Sequence, residues 1–475
     1  MAVTKYKKYK YYQKLVDVKR NMFDSENSVG LKNVCPTCYS IFLVVALFTC
    51  SFAALYIYKE LFCGGQSSTY IPTHVYTPET IETYLDREQY RDTLVEKVVS
   101  CYYNTPIPDA LNQLLPNNIH PHLCTHINVA FARVVDKEIA LEDIQYKTLV
   151  QLQQLKKINP KLKILLSVGG AGNDNGFSEM VIDHASRKVF IKSIKNILKN
   201  YTLDGIDLDW EFPALHGTQL ALAKRERQHF SQLLQEIRRE YVREKRNYLL
   251  TVAVAAQQTI VDVSYDVDQL NLYTDFINIM TYDYHFYSKY TPFTGLNSPL
   301  FVRSDEQLFL SSLNINFTVH MYLDKGLERN KIVIGIPTYG HTFTLVNADN
   351  TKVGSPASGF GSLGSKGFIN YPDICSFLAS KSNVTVKQDH EAKVPYLYKD
   401  LDWVSYDSPQ SVIAKAMYIK DYGLRGAMIY SLNADDYNGS CGGDQGEGVK
   451  FPLLKSVTNV LSNNTSLENQ EKGEY

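Results

Sequence analysis

Beyond residue 96 the chain alternates two hydrophobic periodicities. Residues 98–103, 126–131, 163–168, 204–211, 249–255, 276–282, 331–336 and 426–432 are short and largely apolar, as strands buried on both faces are. Between them, stretches such as 146–158, 187–199 and 224–243 carry apolar residues at helical spacing. Strands alternating with helices predict a parallel α/β fold, and eight of them predict a TIM (β/α)8 barrel. A doubly wound sheet is the alternative, but the first strand is not followed by a Gly-x-Gly-x-x-Gly turn. The gap between the seventh and eighth strands is too long for one helix and reads as strand-like. Residues 343–410 are therefore expected to form an α+β insertion on the catalytic side of the barrel.

One strand breaks the apolar rule. In Asp204-Gly205-Ile206-Asp207-Leu208-Asp209-Trp210-Glu211-Phe212-Pro213 the period of two puts Asp207, Asp209 and Glu211 on one face and Ile206, Leu208 and Trp210 on the other. Crowded carboxylates repel and lose hydration, which separates their pKa values and lets one hold a proton while another is ionised. Acid-catalysed cleavage of a glycosidic bond needs that division. A solvated acidic edge strand is the bland alternative, and a calcium or magnesium site is another. The stretch lacks EF-hand spacing, and its apolar second face argues for burial. Barrel enzymes act at the C-terminal ends of their strands, which singles out Tyr102, Phe131, Gly169, Gly170, Glu211, Met280, Tyr282, Asp283 and Tyr430.

The N-terminal region is a different material. Residues 1–40 are basic, and residues 41–58 form an uncharged apolar run that reaches bilayer-spanning length with Tyr39 and Ser40. The basic flank predicts a transmembrane signal anchor, with residues 1–40 cytosolic and the rest extracellular or lumenal, a type II topology. A cleaved signal peptide at Ser51-Phe52-Ala53-Ala54 is the rival, but the preceding segment is long for one. Residues 59–95 read as a stalk and 461–475 as a flexible tail. Cys63, just past the apolar run, is placed to link two chains. Cys101, Cys124, Cys375 and Cys441 are the candidates for bridges within the chain. Asn200, Asn316, Asn383, Asn438, Asn463 and Asn464 begin Asn-x-Ser/Thr sequons on the far side of the proposed membrane. The net charge of −1 gives no basic field for nucleic acid.

Residues 204–211 match the Asp-Gly-x-Asp-x-Asp-x-Glu signature of glycoside hydrolase family 18, the chitinase and chitinase-like proteins. Cys101-Tyr102, Cys124-Thr125-His126-Ile127 and Ser167-Val168-Gly169-Gly170 resemble that family's first three strands. Asn278-Ile279-Met280-Thr281-Tyr282-Asp283 and Gly335-Ile336-Pro337-Thr338-Tyr339-Gly340 resemble its sixth and seventh. Trp403-Val404-Ser405-Tyr406-Asp407 and Gly426-Ala427-Met428-Ile429-Tyr430 follow in order, so the resemblance spans 96–460. It implies substrate-assisted retaining hydrolysis of β-1,4-linked N-acetylglucosamine chains, without metal or cofactor. Glu211 would be the acid, with Asp209 and Asp207 behind it. Tyr282 would hold the acetamido oxygen, supported by Met280 and Asp283. The other substrate contacts it implies are Tyr102, Phe131, Gly169, Gly170, Trp210, Tyr339, His341 and Tyr430. Its disulfides map to Cys101–Cys124 and Cys375–Cys441.

This chain departs from the family pattern in its aromatic lining. It has 34 Tyr but only two Trp, Trp210 and Trp403. Asn104-Thr105, Ala171 and Tyr430 stand where tryptophans are common, His341 replaces an Arg, and Phe286 replaces a Gly. Intact acids with a depleted stacking surface leave two readings: a membrane-anchored hydrolase, or a chitinase-like lectin or glycan-sensing receptor.

Overall fold

The computed structural model describes residues 97–462 apart from 109, 111, 216–219, 381–382 and 446–447. Residues 41–58, Cys63 and the stalk lie outside the described residues. Among the described residues no helix is long and apolar enough to cross a membrane.

Fifteen strands are described: β1 Val98–Asn104, β2 His126–Val135, β3 Glu138–Ala140, β4 Lys163–Gly169, β5 Gly205–Asp209, β6 Leu249–Ala255, β7 Phe276–Met280, β8 Ile332–Pro337, β9 Tyr339–Leu345, β10 Ala357–Gly359, β11 Phe368–Asn370, β12 Thr385–Asp389, β13 Val394–Lys399, β14 Asp402–Ser405 and β15 Gly426–Tyr430. Eight of them pair in parallel in the order β1-β15-β8-β7-β6-β5-β4-β2, and β1 pairs with β2 to close the ring. This is the expected TIM-type barrel, with β3 an antiparallel addition to β2.

Each barrel strand divides its side chains as a pleat requires. Ile206 and Leu208 on β5, Leu250, Val252 and Val254 on β6, and Ile277 and Ile279 on β7 join the outer core under the helices. The intervening positions face inward, where Val98, Tyr102, Ala253, Phe276, Val333 and Met428 form a second cluster. Through it runs a polar column, with Ser100, Asn128, Ser167, Asp207, Thr251 and Asn278 all 0% exposed. Some helices start where a side chain caps them. Asp183 accepts from Ser186 N at 2.7 Å ahead of His184–Asn200, which accounts for a start earlier than apolar spacing indicated.

The extra sheet is antiparallel, β10-β9-β14-β13-β12 with β11 on β9, and it carries the helix Tyr371–Ala379. It begins at Tyr339, separated from the end of β8 by Thr338 alone, ahead of the expected 343. Thr338 is tied to Tyr430 O and the Ser431 carbonyl, so the barrel strand breaks there and the new sheet starts at once. Cys375–Cys441 links that helix to the segment after β15, and Cys101–Cys124 links β1 to the approach to β2. Loop closures of this kind typically contribute about 2–4 kcal/mol each.

Candidate active site

Three strands end sooner than their sequence suggested: β5 at Asp209 rather than 211, β7 at Met280 rather than 282, β15 at Tyr430 rather than 432. The cause is local. Thr281 N and Tyr282 N bond back to Ile279 O and Met280 O instead of to a neighbouring strand. Asp209 O receives Gly170 N at 2.7 Å. Gly169 makes that approach possible, because a Cβ there would lie 2.1 Å from Asp209 O, and its φ is +110°.

The freed ends surround one cleft enclosing about 720 Å³, part of it open to solvent. Of the expected residues, Asp209, Glu211, Tyr282, Asp283, Tyr102, Met280, Tyr339 and Tyr430 line it together. The predicted face of β5 persists past the strand end, with Glu211 in the cleft. Asp207 sits beneath, fully buried, and takes four donors. Tyr102 and Ser167 hydroxyls reach Oδ2 at 2.7 Å, while Thr251 at 2.6 Å and Asn278 at 3.3 Å reach Oδ1. Burial raises its pKa and these bonds oppose the rise. Asp209 is only 3% exposed, and its Oδ1 lacks a hydrogen-bond partner. Burial drives its carboxyl well above the usual range, with the charges of Glu211 and Asp207 adding to the shift. Tyr282 and Tyr430 are likewise pushed up, chiefly by burial, and remain neutral donors. Their rings stack at 5.8 Å.

Asp283 carries a left-handed φ of +58°. Its backbone N donates to Asn297 Oδ1 at 2.9 Å, and its Oδ1 receives the Tyr339 hydroxyl at 2.5 Å and faces His341 Nε2 at 2.7 Å. His341 is therefore not a wall of the cleft. It is 1% exposed and holds Asp283 from behind.

Trp210 bears out the pleat and corrects the substrate contact that the resemblance implied. It is 1% exposed, stacked on Phe177 at 5.2 Å and edge-on to Phe230, in the layer between barrel and helices. The same period of two that sends Glu211 inward sends Trp210 outward. Phe131, Gly169 and Gly170 border the lining residues. Phe131 packs on Tyr102 at 6.0 Å, and a Cβ on Gly170 would strike the Phe131 ring.

Sequence reasoning missed Ser167, Thr251 and Asn278, three of the four donors to Asp207. Their signal was a polar residue at an inward position of an apolar strand. It also missed Ala253, Ala255, Ala256, Gln257 and Ile260, which line the cleft and carry no chemical signature.

A sequence model described as glycosyl hydrolases family 18 matches residues 98–435. The chain belongs to this family. Among family 18 relatives it is similar to chitotriosidase-1 of Mus musculus, 36% identical over 365 residues that cover 74% of each chain. It is also similar to chitinase-3-like protein 2 of Homo sapiens, 37% identical over 375 residues, 76% of this chain and 92% of that one. The Group IV chitinase of Ostrinia furnacalis superimposes with a TM-score of 0.71 at 34% identity, covering 77% of this chain and 100% of that one. Human YKL-39, described as a pseudo-chitinase with retained chitooligosaccharide binding properties, superimposes equally well, with a TM-score of 0.71, 34% identity and the same coverage. Family 18 membership is thus compatible with turnover and with binding alone.

Proposed function

We propose that the chain hydrolyses β-1,4-linked N-acetylglucosamine glycans by the substrate-assisted retaining route. The observation that carries this is the undamaged set Asp207, Asp209, Glu211, Tyr282 and Asp283, gathered around and beneath one cleft. Glu211 gives its proton to the glycosidic oxygen as the bond to the anomeric carbon breaks. The acetamido oxygen of the same sugar attacks that carbon, and the oxazolinium ion formed is later opened by water, which Glu211, now a base, deprotonates. Asp209, with its unpartnered Oδ1, is placed to take the acetamido N–H. Tyr282 donates to the acetamido oxygen, and Tyr430 offers its ring to the sugar face.

The test is turnover of a fluorogenic chitobioside by the intact chain in detergent, beside Glu211→Gln. The expected outcome is activity in the first and a loss of at least about a hundredfold in the second. A second reading, a glycan-binding receptor without turnover, is favoured by one observation. Both tryptophans are buried, Trp403 against Phe343 and Tyr396, so neither supplies a stacking platform. Affinity for chitooligosaccharides with no turnover would select it.

The chain is further proposed to be a single-pass type II membrane protein, anchored by residues 41–58, with the barrel extracellular or lumenal and Cys63 linking two copies. The basic flank and the apolar length of that run support this. Sequon exposure is consistent with it in part: Asn200, Asn383 and Asn438 are exposed, whereas Asn316 is half-buried and receives the Tyr418 hydroxyl at 3.0 Å. Glycan attached at the first three, mapped by mass spectrometry after glycosidase treatment, is the expected result; an unmodified chain from the secretory pathway would count against this topology.

A further inference from the structure

Lys415, on the helix Pro409–Asp421, is 0% exposed, and that helix packs outside the barrel against β8 and β15. Its Nζ lies 2.7 Å from Asp407 Oδ1 and 2.8 Å from Oδ2, with Ser298 Oγ also at 2.8 Å. Asp407 is held in turn by the Ser411 hydroxyl at 2.6 Å. An ammonium donates and accepts nothing. Its bond to Ser298 therefore occupies a lone pair of that hydroxyl, whose proton goes to the Thr281 carbonyl at 2.7 Å. The direction from Lys415 through Ser298 to Thr281 is fixed by chemistry. Thr281 sits between Met280 and Tyr282, both lining the cleft, and its own hydroxyl donates to Gly335 O at 2.7 Å. The neighbouring Asn297 accepts from Asp283 N and donates to Tyr339 O at 3.1 Å. One buried cation thus ends a chain of bonds that reaches the turn carrying Tyr282 and Asp283.

A buried ion pair is a poor way to gain stability, because desolvation offsets the attraction, and apolar replacements often fold as well. Directional bonding is what an apolar pair lacks. We propose that Lys415 is a positioning residue. Held by Asp407, it aims the Ser298 hydroxyl at Thr281 and so fixes residues 280–283 in the geometry that reads the acetamido group. The inference rests on the glycan-reading role given above to Tyr282 and Asp283.

Lys415→Met alone strands Asp407 and can fail to fold, so two other variants carry the test. Ser298→Ala breaks the chain of bonds and keeps the ion pair; Lys415→Met with Asp407→Leu removes both charges. Each is expected to keep the wild-type circular dichroism spectrum while kcat on the chitobioside falls about tenfold at nearly constant KM. Affinity for tri-N-acetylchitotriose, read by titration calorimetry, is expected to fall about tenfold if the wild-type chain binds without turnover. Wild-type kcat and affinity in both folded variants would overturn the proposal. So would an unfolded double variant beside a fully active Ser298→Ala, which would make the pair purely structural. A wild-type chain that neither turns over nor binds these sugars would overturn the glycan reading itself, and this role with it.

Discussion

Two carboxylates one pleat apart on β5 live in opposite surroundings. Asp207 lies inside the barrel with four donors on its two oxygens, so its environment is complete. Asp209, at the strand end, is almost as buried and yet has an oxygen without a partner. Burial penalises both, but only Asp207 receives compensation from within the chain. The lower acid is built for the fold and the upper acid for something that arrives. A group left unsatisfied in a buried site is expected where a ligand will complete it.

That contrast can be broken most forcefully from below. Asp207→Ala would strand the Tyr102, Ser167 and Thr251 hydroxyls as donors and leave Asn278 only its 3.4 Å bond to the Tyr102 hydroxyl, and about 3–5 kcal/mol of stability should be lost in urea unfolding. Asp209→Asn should act in the other direction. It removes a group whose folded pKa is raised, so the native state of the wild type is penalised as pH rises above the ordinary carboxylate value. The variant should have the higher Tm at pH 7, with the gain shrinking as pH falls toward 4. Its kcat should nevertheless drop by about 10²–10³. A variant that lost stability at pH 7 would mean Asp209 is as well compensated as its neighbour. Thr251→Val removes one of four donors and should cost about 1 kcal/mol in the same unfolding assay, with turnover nearly unchanged. Tyr430→Trp should have the smallest effect: a broader ring face, worth about 0.5–1 kcal/mol in tri-N-acetylchitotriose affinity by calorimetry.

Much of this arrangement could be read from the chain because a pleat is a simple code. The period of two assigned Asp207, Asp209 and Glu211 to one side, and the apolar runs located all eight barrel strands within a few residues. Trp210 shows the limit of reasoning by resemblance. The family pattern implied a substrate contact, but its parity, legible in the sequence, puts it among the helices. His341 shows another limit. The resemblance implied a substrate contact, whereas the pairing of β9 with β11 and β14 buries it behind Asp283. Ala253, Ala255 and Ala256 were invisible because a residue that contributes only space leaves no chemical trace. The role of Ser298 depends on Lys415, 117 residues away, a contact that only the folded chain creates.

The closure of β1 onto β15 bears on how the protein is made. Lys97 donates to Leu424 O across a sequence separation of 327 residues, and Val98 aligns with Gly426. The first strand leaves the ribosome long before its last neighbour exists, and one of its edges waits unpaired until that neighbour is made. Long-range pairing of this kind makes folding slow and exposes intermediates to association. The ring of strands that positions the acids cannot be completed until β15 has followed the other seven barrel strands, so closing it is the last step in assembling the barrel.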